Sequence, residues 1–323
     1  MGVQPASFST TNREIDAAAA RIRDGHLVAF PTETVYGLGA DATNGEAVAR
    51  IYETKQRPHF NPLIVHVSDR NAADRLVRFN DAASRLAGAF WPGPLTLILP
   101  AKENNGISSL VTAGLDTLAI RVPEHPVARA LLETAGRPVA APSANRSGRV
   151  SPTSAAHVAD EFQDTGIMVL DGGSSRSGLE STIVDLAGKH PAILRPGTIT
   201  REEVEHVIGQ PAQPAPIPSP SAPTAPGQLA SHYAPTATIR LNACRANPGE
   251  ALIGFGPDAP AAGDMVVNLS PTGDLREAAA NLFDTLRTLD QQAPGTIAVM
   301  PIPDTGIGVA INDRLKRAAA PRA

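Results

Sequence analysis

The sequence predicts a mixed α/β fold in two unequal parts. Three observations lead there. Short apolar runs bounded by Gly, Pro or Asn alternate with stretches of helical period. Residues 211–226, PAQPAPIPSPSAPTAP, hold seven prolines in sixteen positions and interrupt that alternation. The 323 residues are 42% hydrophobic, enough to fill a core on each side of the interruption.

In the first part, strands are expected over 27–30, 63–67, 95–99, 118–122, 139–141, 168–170, 182–186 and 192–194. Helices are expected over 12–23, 45–54, 82–90, 126–134, 154–162 and 201–208, with Asn44 and Thr200 as N-caps. This order leaves parallel and antiparallel pairing open. Proline lacks an N–H and fixes φ, so 211–226 reads as extended polyproline, reaching on the order of 50 Å. Beyond it, strands over 238–241, 251–255, 265–268 and 296–301 and a helix over 274–290 make a smaller α/β unit, and residues 314–322 read as a short basic tail. The expected division is 1–210, a linker over 211–235, and 236–323.

Net charge is −4 and aromatics are 4%, which argues against a protein that tracks a phosphate backbone or stacks single-stranded bases. Any basic site is therefore local. The single cysteine, Cys244, excludes an internal disulfide framework and a thiolate-rich zinc site, and fits a reducing cytoplasm. The first residues do not read as a secretory signal, and no apolar run is long enough to span a membrane.

Common catalytic motifs are missing. The sequence has no GxxxxGK[ST] phosphate loop, no GxSxG elbow, and no HExxH among its eight histidines. Gly37-Leu-Gly39-Ala-Asp-Ala42 fits a loose GxGxxA pattern but follows a turn instead of leaving a strand directly. Polar clusters at strand ends say more. Residues 31–39, PTETVYGLG, place hydroxyls and a carboxylate where open α/β sheets hold ligands, although a turn satisfying its own amides uses the same residues. Lys55 and Arg57 follow a helix into a Pro-interrupted loop, and can grip an anion or merely answer the helix dipole. Ser143 and Asn145 follow Pro142, and Ser151 precedes another helix start. Arg121 and Arg195 sit at strand ends, and 172–182 is a small polar loop. Such a set suits a nucleotide and a small polar acid, with catalysis by positioning and charge neutralisation.

Taken in order, PTETVYGLGADA (31–42), KQRPHFNPLIVHV (55–67), FWPGPLTLIL (90–99), AIRVPEHP (119–126), APSANRSGRVSPT (141–153), GLESTIVD (178–185), ILRPGTIT (193–200) and PGQLASHYAP (226–235) closely resemble the threonylcarbamoyl-AMP synthase family in its long, two-domain form. The resemblance implies a twisted mixed sheet of the YrdC type with a concave basic cavity, and a smaller Rossmann-like C-terminal domain. It implies synthesis of threonylcarbamoyl-AMP from L-threonine, bicarbonate or CO2, and ATP, with Mg²⁺ arriving on the ATP and pyrophosphate leaving. A tRNA threonylcarbamoyl transferase would then receive the product for N6-threonylcarbamoyladenosine formation, with no stable nucleic-acid binding and no membrane association by this chain.

Carried over by position, Thr34, His66, Arg121, Ala141 and Ser181 would bind threonine, Arg121 holding its carboxylate. Arg57, Asn61, Thr117, Ser143, Ser151, Arg195 and Tyr233 would bind the nucleotide, and Lys55, Arg57, Ser143 and Asn145 match the family's catalytic signature. Tyr233 and the linker would close over the mouth as a lid. Two other readings differ in class. A carbamoyltransferase with a similar domain would need zinc fingers or further domains that one cysteine and this length exclude. Non-catalytic binding of structured RNA would show steep salt dependence and no threonine-dependent turnover.

Overall fold

The computed structural model describes residues 10–58, 60–214, 225, 231–260 and 265–321. In the first part these form α1 (Asn12–Arg23), β1 (Val28–Phe30), β2 (Gly37–Asp41), α2 (Gly45–Lys55), β3 (Ile64–His66), α3 (Arg70–Leu76), α4 (Asp81–Phe90), β4 (Leu95–Pro100), α5 (Ser109–Thr112), β5 (Thr117–Arg121), α6 (Pro126–Ala135), β6 (Val139–Ala140), α7 (Ala155–Glu161), β7 (Met168–Val169), β8 (Thr182–Asp185), β9 (Ala192–Arg195), α8 (Arg201–Ile208) and β10 (Gln213–Pro214). The second part holds β11 (Thr238–Arg240), β12 (Ala251–Gly254), β13 (Val266–Asn268), α9 (Leu275–Gln291), β14 (Thr296–Val299) and α10 (Gly308–Ala318).

Both expected caps are present. The Asn44 side chain accepts the N–H groups of Glu46 and Ala47, and Thr200 forms a reciprocal capping box with Glu203. The first ten strands make one mixed sheet in the order β10-β9-β8-β4-β5-β3-β6-β2-β1-β7. In its middle, β3 runs parallel to β5 and antiparallel to β6, while β4 runs antiparallel to β5 and parallel to β8. Alternation gives the sheet two apolar faces. Val65, Leu97, Ile120, Val184 and Ile193 pack with Ile51, Leu86 and Val204 of the helices. Ile64, Ile98, Ala119, Ile183 and Leu194 face the other way, and there Ala225 of the proline-rich segment covers them. Residues 215–224 and 226–230, where most of the expected lid falls, lie outside the described residues.

A β-bulge in β9 decides where the site forms. Ile183 is opposite Arg195 while the next residue, Val184, is opposite Ile193, so Leu194 is the extra residue. Strict alternation would put Arg195 on the helix-covered face with Ile193. The bulge turns it to the opposite face beside Ile183.

Gly37 and Gly39, the two glycines of the loose dinucleotide pattern, lie in β2. A Cβ on Gly39 would stand 2.7 Å from Phe30 Cε1 and 2.8 Å from Val139 Cγ1, so packing explains this glycine without a phosphate.

In the second part, β11-β14-β12-β13 form a parallel sheet. Its core takes in Val35, Val150 and Leu179 from loops of the first part, packed with Leu282, Phe283 and Leu286. The backbones approach closely there: Gly178 has φ +66°, and a Cβ on it would lie 2.4 Å from Ala279 O. Residues 314–318 of the expected basic tail instead form the end of α10, and residue 322 lies outside the described residues. Ile307, Ala310, Ile311, Leu315 and Ala318 form a buried stripe at helical spacing, and Arg314 lies fully buried within it. Also beyond the expectations from sequence are β2, α3, α5 and the two-residue edge strand β10. Among the described residues, no helix is long and apolar enough to cross a membrane.

Candidate active site

A cleft opens on the sheet face that carries Ile64. Its first wall is the turn between β1 and β2. There Thr32 Oγ1 accepts the N–H groups of Thr34 and Val35, each at 3.2 Å, and lies 2.7 Å from Thr34 Oγ1. That local bonding bends the chain and fixes Thr34 toward Arg121, whose Nη1 donates to Thr34 Oγ1 at 2.9 Å. Arg121 ends β5, donates through Nε to Gly93 O at 3.2 Å, and pairs through Nη2 with Glu33.

His66 is in register with Arg121 across β3 and β5. Burial, then the Arg121 charge, pushes its imidazole down to about 3, so the ring is neutral, and its buried Nδ1 has no hydrogen-bond partner. Ser181 precedes β8. Its Oγ is 2.7 Å from Thr96 Oγ1 and accepts Arg195 Nη2 at 3.0 Å, while Arg195 Nε donates to Ser181 O at 3.0 Å. Arg57 is held from Nε and Nη2 by the carbonyls of Asn61 and Pro62. Burial pushes Arg57 and Arg195 each down to about 10, which leaves both charged at neutral pH.

Thr34, Arg57, His66, Arg121, Ala141, Ser143, Ser181, Arg195 and Tyr233 thus line one cavity. The other expected residues stand outside the lining. Lys55 ends α2 above a left-handed Gln56, and its buried Nζ donates to the carbonyls of Ser143 and Asn145. It braces that loop from below, and burial with the Arg57 charge holds its ammonium well below the ordinary lysine range. Asn145 Nδ2 donates to the carbonyls of Arg146 and Arg149. Asn61 is buried with its Oδ1 unpartnered, and Thr117 is at the far end of β5 from Arg121. Ser151 Oγ donates to Glu180 at 2.5 Å.

Three residues of the site or its wall were not singled out in the sequence: Glu180, His232 and Arg314. Glu33 is the carboxylate of the 31–39 turn, and Glu180 is the one acidic residue of the 172–182 loop. Burial alone would raise Glu180, but the Arg314 and Arg195 charges, together with hydrogen bonds from Ser151 and Arg314, hold its carboxyl below the ordinary range. Tyr233 has φ +62°, an uncommon backbone for a bulky residue. Its ring stacks on Phe283 at 5.4 Å between centroids, with the Arg314 guanidinium 5.3 Å from its own centroid. Among the described residues, no group of three or more His, Cys, Asp or Glu side chains converges as a metal site.

The Sua5/YciO/YrdC family model, described as telomere recombination, matches residues 20–197, and the model described as the threonylcarbamoyl-AMP synthase C-terminal domain matches residues 199–320. The chain belongs to the threonylcarbamoyl-AMP synthase family. It has the two-domain form of that enzyme family. The threonylcarbamoyl-AMP synthase of Bacillus subtilis is 43% identical, covering 98% of this chain and 95% of the relative. That of Pyrococcus abyssi is 41% identical, covering 96% and 95%. The crystal structure of P. abyssi Sua5 complexed with L-threonine superposes with a TM-score of 0.88 at 40% identity, over 96% of this chain and 95% of that one. As a threonylcarbamoyl-AMP synthase family member, the chain carries its expected YrdC-type sheet and second, parallel-sheet unit.

Proposed function

We propose that this enzyme joins L-threonine, bicarbonate or CO2, and ATP into threonylcarbamoyl-AMP and releases pyrophosphate. One observation carries the reading: Arg57, Arg121 and Arg195 converge on a single cleft lined otherwise by hydroxyls, two neutral histidines and one carboxylate, Glu180, that is already paired with Arg314. Three cations in a shielded site suit a triphosphate and a carboxylate together. The P. abyssi relative's complex with L-threonine supports the same choice of amino acid.

In this reading Arg121, Thr34, His66, Ala141 and Ser181 hold threonine. Arg57, Ser143, Arg195 and Tyr233 hold the nucleotide, and Asn61, Thr117 and Ser151 meet the parts of it that extend past the cavity. Lys55 and Asn145 fix the loop that presents Ser143. The threonine amine adds to CO2 and loses a proton, giving a carbamate. A carbamate oxygen then attacks the α-phosphorus of ATP, and the P–O bond to pyrophosphate breaks. The nucleophile belongs to the substrate, so the chain's own task is to align it and neutralise charge. Magnesium enters with ATP as part of the substrate, because Glu33 and Glu180, the carboxylates nearest the cavity, are already committed to arginines.

The domain assignment belongs to the same proposal: 1–210 catalytic, 211–235 a linker that closes over the substrates, and 236–323 a small α/β C-terminal domain. The product passes in the cytoplasm to a transferase acting on tRNA. Carbon-labelled bicarbonate supplied with threonine and ATP tests the reaction. The label should appear in a product with the mass of threonylcarbamoyl-AMP, and an unlabelled nucleotide pool after full incubation would refute it.

A further inference from the structure

The cavity contains a charge problem that its expected residues do not solve. Glu180 lines it immediately before Ser181, whose hydroxyl and carbonyl both accept from Arg195. A buried carboxylate so close to Arg195 competes with an anionic substrate for that guanidinium. The solution comes from the other end of the chain. Arg314 of α10, 134 residues away, donates from Nε to Glu180 Oε2 at 2.9 Å. Glu180's second oxygen accepts the Ser151 hydroxyl. Arg314 is fully screened from solvent, with Nη1 on Asp313 at 2.7 Å, and its guanidinium faces the Tyr233 ring on the cavity wall.

We propose that Arg314 is a positioning residue: it engages Glu180 so that the charge of Arg195 serves the triphosphate, and thereby makes docking of the second unit a condition for nucleotide binding. The inference rests on the ATP-dependent reading above and gives the C-terminal unit a task within it. Removing Arg314 leaves a buried carboxylate beside Arg195 and withdraws one face of the Tyr233 stack. Fully desolvated pairs of this kind are costly to break from one side only.

The test uses the full chain as wild type, Arg314→Met, Arg314→Lys, Glu180→Gln and the double variant R314M/E180Q, with KM for ATP, KM for threonine and kcat measured separately. Arg314→Met should raise KM for ATP at least about tenfold, with KM for threonine within about threefold of wild type. Arg314→Lys, which keeps the charge, should recover most of that loss. R314M/E180Q should return KM for ATP to within about threefold of the Glu180→Gln value, because the competing carboxylate is gone. A purely structural role would not divide the two KM values in this way. An unchanged KM for ATP in Arg314→Met overturns the proposal, as does a loss that the second substitution leaves in place. Should Arg314→Met not fold, Arg314→Lys and the double variant decide by the same criteria. A wild-type chain that makes no pyrophosphate refutes the functional reading instead, and ATP affinities by calorimetry across the same set then decide the role of Arg314.

Discussion

Arg121 Nη2 lies 2.5 Å from Glu33 Oε1, and both side chains are almost wholly screened from water. The other Glu33 oxygen accepts the N–H of Glu124 at 3.0 Å, so one carboxylate ties the β1–β2 turn to the segment after β5. A buried charge without its partner is expensive, and Glu33→Ala should destabilise the fold by about 3–5 kcal/mol. Glu133→Ala, at the exposed Arg129 pair on α6, should cost about 1 kcal/mol or less. Denaturant titrations of both variants provide the check, and equal losses would contradict the burial argument.

Arg57 and Arg195 are the cations assigned to the triphosphate. Arg57→Ala or Arg195→Ala should each lower kcat/KM at least about a hundredfold, as expected for charge aimed at a developing transition state. Pyrophosphate release at varied ATP measures this. Near-normal kinetics in both variants would move the triphosphate elsewhere.

His66 and His232 are both pushed down to about 3 by burial, from an ordinary value of 6.5. Between those values the unfolded chain binds more protons than the folded one. Stability is therefore full above about pH 6.5 and is lost as pH falls from there toward 3. His66→Gln should shrink the difference in unfolding free energy between pH 7 and pH 4.5 by an amount on the order of 1–3 kcal/mol. An identical pH dependence in wild type and variant would show that His66 is not a neutral, buried ring.

Gly39 tests the packing account of its motif. Gly39→Ala forces a methyl against Phe30 and Val139 and should cost about 1–3 kcal/mol. A neutral effect on stability, combined with weakened nucleotide binding, would contradict the packing account and make Gly39 a ligand-facing residue.

The local features of the fold were legible because they depend on neighbours in sequence. Asn44 and Thr200 announce their helices, and the apolar runs from 63 to 194 announce their strands. Arg121 and Arg195 stood out as charges at strand ends. What alternation cannot foretell is the bulge at Leu194, which reverses the face of Arg195 because pairing with β8 sets it. Lys55 and Arg57 look like a joint grip in sequence. The left-handed Gln56 between them sends Lys55 under the Ser143 loop and Arg57 to the cavity wall. Arg314 was hidden differently. The apolar spacing of Ile307, Ile311 and Leu315 was readable, but neighbouring Lys316 and Arg317 gave the segment the look of a solvated tail, and its partner Glu180 is 134 residues distant.

The most direct test of the central claim is pyrophosphate release by the purified full-length chain from ATP, Mg²⁺ and bicarbonate, with and without L-threonine. Release that requires both threonine and bicarbonate is the predicted result. Release that proceeds equally without threonine, or none from a folded chain that binds ATP, would contradict it.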